Sequence, residues 1–75
     1  MDQLDAMRLF VRVAELESFT RCAEQLGIPK ATLSAAIRRL EERMGTRLLL
    51  RTTRRVQLTT DGQLCYARCW DLLAE

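Results

Sequence analysis

The segment Gly27-Ile28-Pro29 constrains the fold of this 75-residue chain more than any other feature. Glycine adopts the left-handed conformation that ends a helix, and proline is tolerated where a helix begins because its missing N–H has no helical partner there. Apolar residues recur at spacings of three and four on both sides of the segment. This period is typical of amphipathic helices. We therefore predict two helices joined by a tight turn.

The same periodicity predicts four helices along the chain. We expect them to cover about residues 5–16, 21–26, 30–44 and 60–75. Thr20 is the predicted N-cap of the second helix, Gly45 ends the third, and Thr60-Asp61-Gly62-Gln63 matches a capping box at the start of the fourth. The stripes expected to face the core contain Leu4, Met7, Phe10, Val11, Ala14, Cys22, Ala23, Leu26, Leu33, Ile37, Leu40 and Met44.

Between the third and fourth helices the pattern changes to an alternation of two residues. Leu48 and Leu50 alternate with their neighbours in one short run, and Val56 and Leu58 alternate in another. The polar segment Thr52-Thr53-Arg54 separates the two runs. Two short alternating runs around a polar segment predict a β-hairpin.

The charge of the chain is unevenly distributed. The whole chain has a net charge of +2, yet residues 30–55 contain eight basic and only two acidic residues. A concentrated basic stretch is typical of proteins that bind polyanions, most often nucleic acid. The alternative is a solvated face in which Glu41 and Glu42 pair with Arg38 and Arg39 along the helix.

The order of the elements favours a DNA-binding arrangement. Ala23 is small enough to let the third helix cross close to the second, and Gly27, four residues later, supplies the turn. Two helices related in this way, followed by a hairpin and a further helix, predict a mainly α, winged helix-turn-helix fold with a three-helix core, a two-stranded β wing and a C-terminal helix. In this fold the second helix of the motif enters the major groove.

Helical projection and charge select the residues that would contact DNA. The third helix presents small and polar side chains outward near its N-terminus, which suits close approach to base edges. The start of the second helix offers backbone N–H groups to a phosphate, and wing arginines suit a narrow minor groove. Arg51 is either part of this basic wing or a structural anchor of the sheet. The predicted DNA-binding residues are Thr20, Arg21, Lys30, Ala31, Thr32, Ser34, Ala35, Arg38, Thr53, Arg54 and Arg55.

Several motifs resemble one known family. They are Ser18-Phe19-Thr20, Ala23-Glu24-x-Leu26-Gly27, Ile37-Arg38-Arg39-Leu40-Glu41, Gly45-x-Arg47-Leu48, Arg54-Arg55-Val56-x-Leu58-Thr59 and Asp61-Gly62. Together they resemble the N-terminal domain of LysR-type transcriptional regulators. Pro29-Lys30-Ala31 resembles a variant subset of the family, and Ala35 stands where arginine is common, so the preferred operator should differ from that of other members.

The resemblance implies a domain organisation and a function. Residues 1–60 would form the winged helix-turn-helix domain and residues 61–75 the start of a C-terminal linker helix for dimerisation, with the effector domain absent from this chain. The protein would be a cytoplasmic, dimeric, sequence-specific DNA-binding domain of a bacterial transcription regulator. Its partner would be double-stranded DNA, and a small-molecule effector would act only through the missing domain.

The last helix carries an apolar seam with two interpretations. Tyr66, Cys69 or Trp70, and Leu73 follow coiled-coil spacing. They either pack on the first helix of the same chain or contact a second copy, and the resemblance favours the dimer contact. Cys65 and Cys69 lie on one helical face, but no further cysteine or histidine completes a metal site, so we predict no metal or cofactor. The odd number of cysteines and the lack of a signal-peptide pattern predict reduced thiols.

Length and composition argue against other functions. A chain this short has little core to spare for an enclosed substrate pocket, and it contains no histidine and no nucleophile–base pair. No apolar run approaches the length of a membrane span. We therefore predict no enzymatic activity and no membrane partner. The remaining rival is a protein-interaction module whose basic face binds an acidic partner, which would lack the steep salt dependence of DNA binding.

Overall fold

A computed structural model describes residues 3–51 and 55–73 of the chain. Four helices and one two-stranded antiparallel sheet follow one another in the predicted order. This is the mainly α, winged helix-turn-helix arrangement expected from the sequence. The elements are α1 Gln3–Leu16, α2 Phe19–Leu26, α3 Lys30–Met44, β1 Leu49–Arg51, β2 Val56–Leu58 and α4 Thr60–Leu73.

The turn between α2 and α3 forms as its glycine predicts. Gly27 has a φ of 68°, and its N–H donates to the Glu24 carbonyl while the next N–H, of Ile28, donates to the Ala23 carbonyl. These bonds satisfy carbonyls that the end of α2 would otherwise leave unpaired. Pro29 is extended, and α3 begins directly after it. The geometry fixes the angle between the two helices of the motif.

Both predicted N-caps are displaced in the sequence. Ser18, not Thr20, caps α2, because its Oγ accepts from the Arg21 N–H at 3.1 Å. This earlier start adds Phe19 to the helix and buries its ring, which a cap at Thr20 would leave outside the helix. Similarly, Thr59 caps α4 in place of the Thr60 capping box, since its Oγ1 accepts from the Gly62 N–H at 2.8 Å.

The core lies where α1 meets the other three helices and the sheet. Phe10 and Val13 of α1 are fully buried, together with residues of every other element except β2. Three predicted core residues, Leu4, Leu26 and Met44, are instead largely exposed. Each lies at or near the end of its helix, where no neighbouring element covers it. The buried residues are Ala6, Phe10, Val11, Val13, Phe19, Cys22, Ala23, Leu33, Ala36, Ile37, Leu40, Leu48, Leu49, Cys65 and Cys69.

The hairpin also departs from the alternation that the sequence predicts. Leu48 and Leu49 are both buried, whereas Leu50 is 48% exposed. The regular pleat begins only at Leu49, which pairs with Leu58, so the alternation does not extend back to Leu48. Instead, the Leu48 carbonyl accepts from the Thr59 N–H at 3.0 Å, just beyond the end of β2. Two successive leucines therefore anchor this hairpin, which we call the wing, to the helices.

Candidate nucleic-acid interface

The outer face of α3 is open and built from small side chains. Lys30, Ala31, Thr32, Ala35 and Arg38 are all exposed, as the helical projection predicts. Ser34 is half-buried at the edge of this face. Pro29, the residue before the first turn, makes no side-chain cap hydrogen bond. A helix with such a face can approach the floor of a groove closely, with Lys30 and Arg38 adding positive charge.

The start of α2 keeps two predicted residues at the surface. Thr20 and Arg21 are exposed in its first turn. The Arg21 N–H is already taken by the Ser18 side chain. Arg21 can therefore reach a phosphate with its guanidinium, whereas its backbone amide is committed to the cap.

The wing carries the remaining predicted contacts. Arg55 is exposed just before β2. Thr53 and Arg54 lie outside the described residues. Arg51, for which the sequence left two interpretations, has its guanidinium carbon 4.1 Å from the centroid of the Phe19 ring. This cation–π geometry supports the role of a structural anchor, which joins the wing to α2.

A second anchor, which sequence analysis missed, joins the wing to α3. The Glu41 carboxylate accepts from the Leu48 N–H at 2.8 Å and from the Leu49 N–H at 3.2 Å. Its Oε2 also lies 3.8 Å from the Arg47 Nε. The alternative interpretation of the charge pattern paired Glu41 with Arg38 along the helix. In the structure Glu41 instead contacts Arg47 and the two backbone N–H groups. The sequence offered only one signal, which is that Glu41 is acidic within a strongly basic segment. In the structure its side chain is only 13% exposed.

Helix α4 divides its apolar residues between two faces. Cys65 and Cys69 are buried in the core, with 3.9 Å between their sulfur atoms. Cys69 is fully buried by its own chain, so this predicted dimer residue is not available to a partner. Tyr66 and Leu73 are half-buried, and Trp70 is 46% exposed and meets Tyr66 edge to face. Sequence analysis missed two further exposed apolar residues of this helix, Leu64 and Leu72.

The thiols of Cys69 and Cys22 resist ionisation. Burial, together with the smaller effect of the neighbouring Cys65, raises the pKa of Cys69 to about 12. Burial also raises the pKa of Cys22, against the opposing charge of Arg12. The thiolate is the form of cysteine that binds metals and acts as a nucleophile. These pKa shifts therefore disfavour metal binding and nucleophilic reaction. The part of the chain that the structure describes contains no group of three side chains suited to hold a metal ion.

No helix within residues 3–51 or 55–73 combines the length and the apolar character needed to cross a membrane.

Comparison with known proteins agrees with this arrangement. The family model described as bacterial regulatory helix-turn-helix protein, lysR family, matches residues 4–63. An uncharacterized HTH-type transcriptional regulator of Escherichia coli K12, YhjC, is 51% identical over 74 residues, which are 99% of this chain and 25% of that protein. An HTH-type transcriptional repressor of Pseudomonas aeruginosa is 48% identical over 75 residues, all of this chain and 24% of the repressor. The chain thus spans about a quarter of the length of these curated relatives.

Solved structures share the fold. The BenM DBD in its complex with catB site 1 DNA has a TM-score of 0.91 and 40% identity, covering 97% of this chain and 81% of that one. Full-length BenM has a TM-score of 0.88 and 40% identity, covering 97% of this chain and 24% of that one. The fold and the motifs agree with the resemblance found in the sequence, and this chain belongs to the LysR family of bacterial regulatory helix-turn-helix proteins.

Proposed function

We propose that this chain is the sequence-specific DNA-binding domain of a bacterial transcription regulator and inserts α3 into the major groove. The observation that carries the proposal is the exposed N-terminal half of α3, where Lys30, Thr32 and Ala35 offer charge, a hydroxyl and a methyl group without bulk. Lysine and hydroxyl side chains hydrogen-bond base edges, and methyl groups contact thymine. The complex of the similar BenM DBD with catB site 1 DNA supports DNA binding by this chain.

The wing is proposed to bind the flanking minor groove. Arg55 is exposed there, and Thr53 and Arg54 precede it in the sequence. Guanidinium groups are attracted to the strong negative potential of a narrow minor groove. The first turn of α2 would contact a phosphate through Thr20 and the Arg21 side chain. Mutation of Arg54 to Ala should weaken binding to all duplexes alike if Arg54 contacts phosphate.

Residues 61–75 are proposed to begin a linker helix that pairs with a second copy of the chain. Trp70 and Leu72 support this because both are large, apolar and substantially exposed. A dimer would place two α3 helices on half-sites about one helical turn, or a multiple of a turn, apart. The regulator is proposed to act in the cytoplasm and to have no enzymatic activity, with effector binding left to a domain outside these residues.

A selection from random duplexes tests the DNA-binding proposal. The chain should enrich one sequence family, and log Kd should change linearly with log salt because phosphate contacts release counterions. Lys30→Gln and Ser34→Ala should each change the preferred base at one or two positions. Absence of enrichment together with a flat salt dependence would contradict the proposal and favour a protein-interaction module.

Sedimentation of the Trp70→Glu variant tests the dimer contact. The parent chain is expected to associate at high concentration, and a buried carboxylate in the contact would prevent this. Arg68→Glu on the same helix is the matched control for an added acidic residue. Equal association of the parent and Trp70→Glu would place the dimer contact elsewhere.

A further inference from the structure

A basic cleft lies between the start of α1 and the side of α3. Its volume is about 430 Å³. Two arginines one helical turn apart, Arg39 and Arg43, line it together with residues of both helices. Among the described residues, no side chain that lines the cleft is acidic. The other lining residues are Gln3, Ala6, Thr32, Ala35, Ala36 and Leu40.

The two arginines keep most of their hydrogen-bonding capacity. Arg43 Nη1 donates to Gln3 Oε1 at 3.3 Å, a contact that holds the side chain against α1 without neutralising it. The ion pairs found within the described residues involve Arg12 and Arg47 instead. A guanidinium has five N–H donors arranged to match the oxygens of a phosphate. The cleft is therefore suited to a phosphate group.

The position of the cleft identifies which phosphate this is. Thr32 and Ala35 line the cleft and also belong to the face of α3 proposed to meet the bases. Arg39 and Arg43 continue the same side of α3 toward its C-terminus. When the N-terminal half of a helix occupies the major groove, its C-terminal half must pass a sugar–phosphate backbone at the groove edge. The arginines would then face that backbone.

We propose that Arg39 and Arg43 bind a backbone phosphate of the DNA strand that borders the major groove on the α1 side. The proposal rests on the proposed DNA-binding function and adds a positioning contact that is separate from the base contacts. It makes α1 part of the interface, because Gln3 orients Arg43. The contact carries no sequence information of its own, since phosphates are the same at every base pair.

The salt dependence of DNA binding by Arg39→Gln, Arg43→Gln and the double variant tests this site. Each variant should reduce the slope of log Kd against log salt by up to about 0.9, which is the value for one phosphate contact on duplex DNA. Affinity should fall about tenfold near 0.1 M salt, equally for the selected duplex and a random one. The preferred sequence should be unchanged. Arg8→Gln, an exposed arginine of α1 that does not line the cleft, is the matched control.

Ethylation interference locates the contact on the DNA. One ethylated phosphate at the groove edge should block the parent chain and have no further effect on the double variant. If the double variant still binds DNA selectively, with the same salt slope and interference pattern as Arg8→Gln, that result would overturn the phosphate site but not the DNA-binding function. Failure of the parent chain to bind any duplex would instead overturn the DNA-binding function.

A calorimetric titration with inorganic phosphate, in the absence of DNA, separates the two sources of a phosphate group. We expect no saturable binding at millimolar phosphate, since one isolated group lacks the rest of the duplex contacts. Saturable binding that disappears in the double variant would reassign the cleft to a free anion.

Discussion

The Arg51 guanidinium lies over the Phe19 ring, with 4.1 Å between the guanidinium carbon and the ring centroid. Phe19 is the first residue of α2 and is almost fully buried, whereas Arg51 is the last residue of β1. The contact therefore links the far end of the first wing strand to the helix-turn-helix motif. Together with the Glu41 carboxylate at the near end of that strand, it holds both ends of β1.

Arg51→Ala is expected to lower the free energy of unfolding by about 0.5–1 kcal/mol, the value of a cation–π contact at an exposed site. Arg51→Lys should recover only part of this loss because an ammonium group does not stack on a ring as a planar guanidinium does. Urea unfolding followed by circular dichroism measures both effects. Arg38→Ala on the exposed face of α3 is the control and should leave stability within about 0.5 kcal/mol of the parent. An equal loss in both alanine variants would contradict the anchoring role.

Glu41→Ala should cost about 2–3 kcal/mol, since the carboxylate accepts from two backbone N–H groups and its loss leaves both unpaired. Glu41→Gln should cost less, because an amide oxygen still accepts one or both hydrogen bonds. The midpoint of urea unfolding provides the measurement. Glu42→Ala is the control, because it makes the same substitution at the next residue of α3, whose side chain is exposed. It should have little effect on the free energy of unfolding. A midpoint for Glu41→Ala equal to that of Glu42→Ala would exclude Glu41 as an anchor.

Gly62 and Gly27 are expected to resist substitution for different reasons. A Cβ at position 62 would overlap the Leu48 carbonyl oxygen, so Gly62→Ala should cost about 1–3 kcal/mol through forced backbone movement. Gly27 has open space around it but a φ of 68°, so Gly27→Ala should cost about 1 kcal/mol through backbone strain. Asparagine tolerates this conformation, and thermal unfolding should therefore show partial recovery in Gly27→Asn but none in Gly62→Asn.

The stability of the chain is expected to fall as the pH rises above 9. The pKa of the Cys69 thiol is raised from 9.0 to about 12, so between these values the unfolded chain releases a proton that the folded chain keeps. The contribution is fully present below pH 9 and is lost progressively toward pH 12. Cys22 shifts in the same direction. Urea unfolding at several pH values should show a shallower decline for Cys69→Ala than for the parent, and parallel declines would contradict the assignment.

Features set by local chemistry were predictable from the sequence. The glycines at the ends of α2 and α3 have the left-handed conformation that their positions indicated, and α3 spans the predicted range, Lys30–Met44. The exposed face of α3 also followed from its periodicity. In each case a backbone preference or a repeated spacing within one element determines the outcome.

Features set by contacts between elements were not predictable in this way. Ser18 and Thr20 are both suitable caps, and the burial of the Phe19 ring between them favours Ser18. Glu41 resembles any other charge on a helix until the fold brings the Leu48 amide to its carboxylate. The close approach of Gly62 to the Leu48 carbonyl likewise depends on how the first turn of α4 packs against the segment before β1. A single sequence contains these residues but not the distances between them.

The Thr59 hydroxyl donates to the Arg47 carbonyl at 2.6 Å and accepts from the Gly62 N–H at 2.8 Å. Thr59 is also the one residue between the end of β2 and the start of α4. These two hydrogen bonds and the short connection stiffen the joint between β2 and α4. A rotation of α4 would therefore also move the wing, so the hairpin and the last helix would reorient together as one rigid unit.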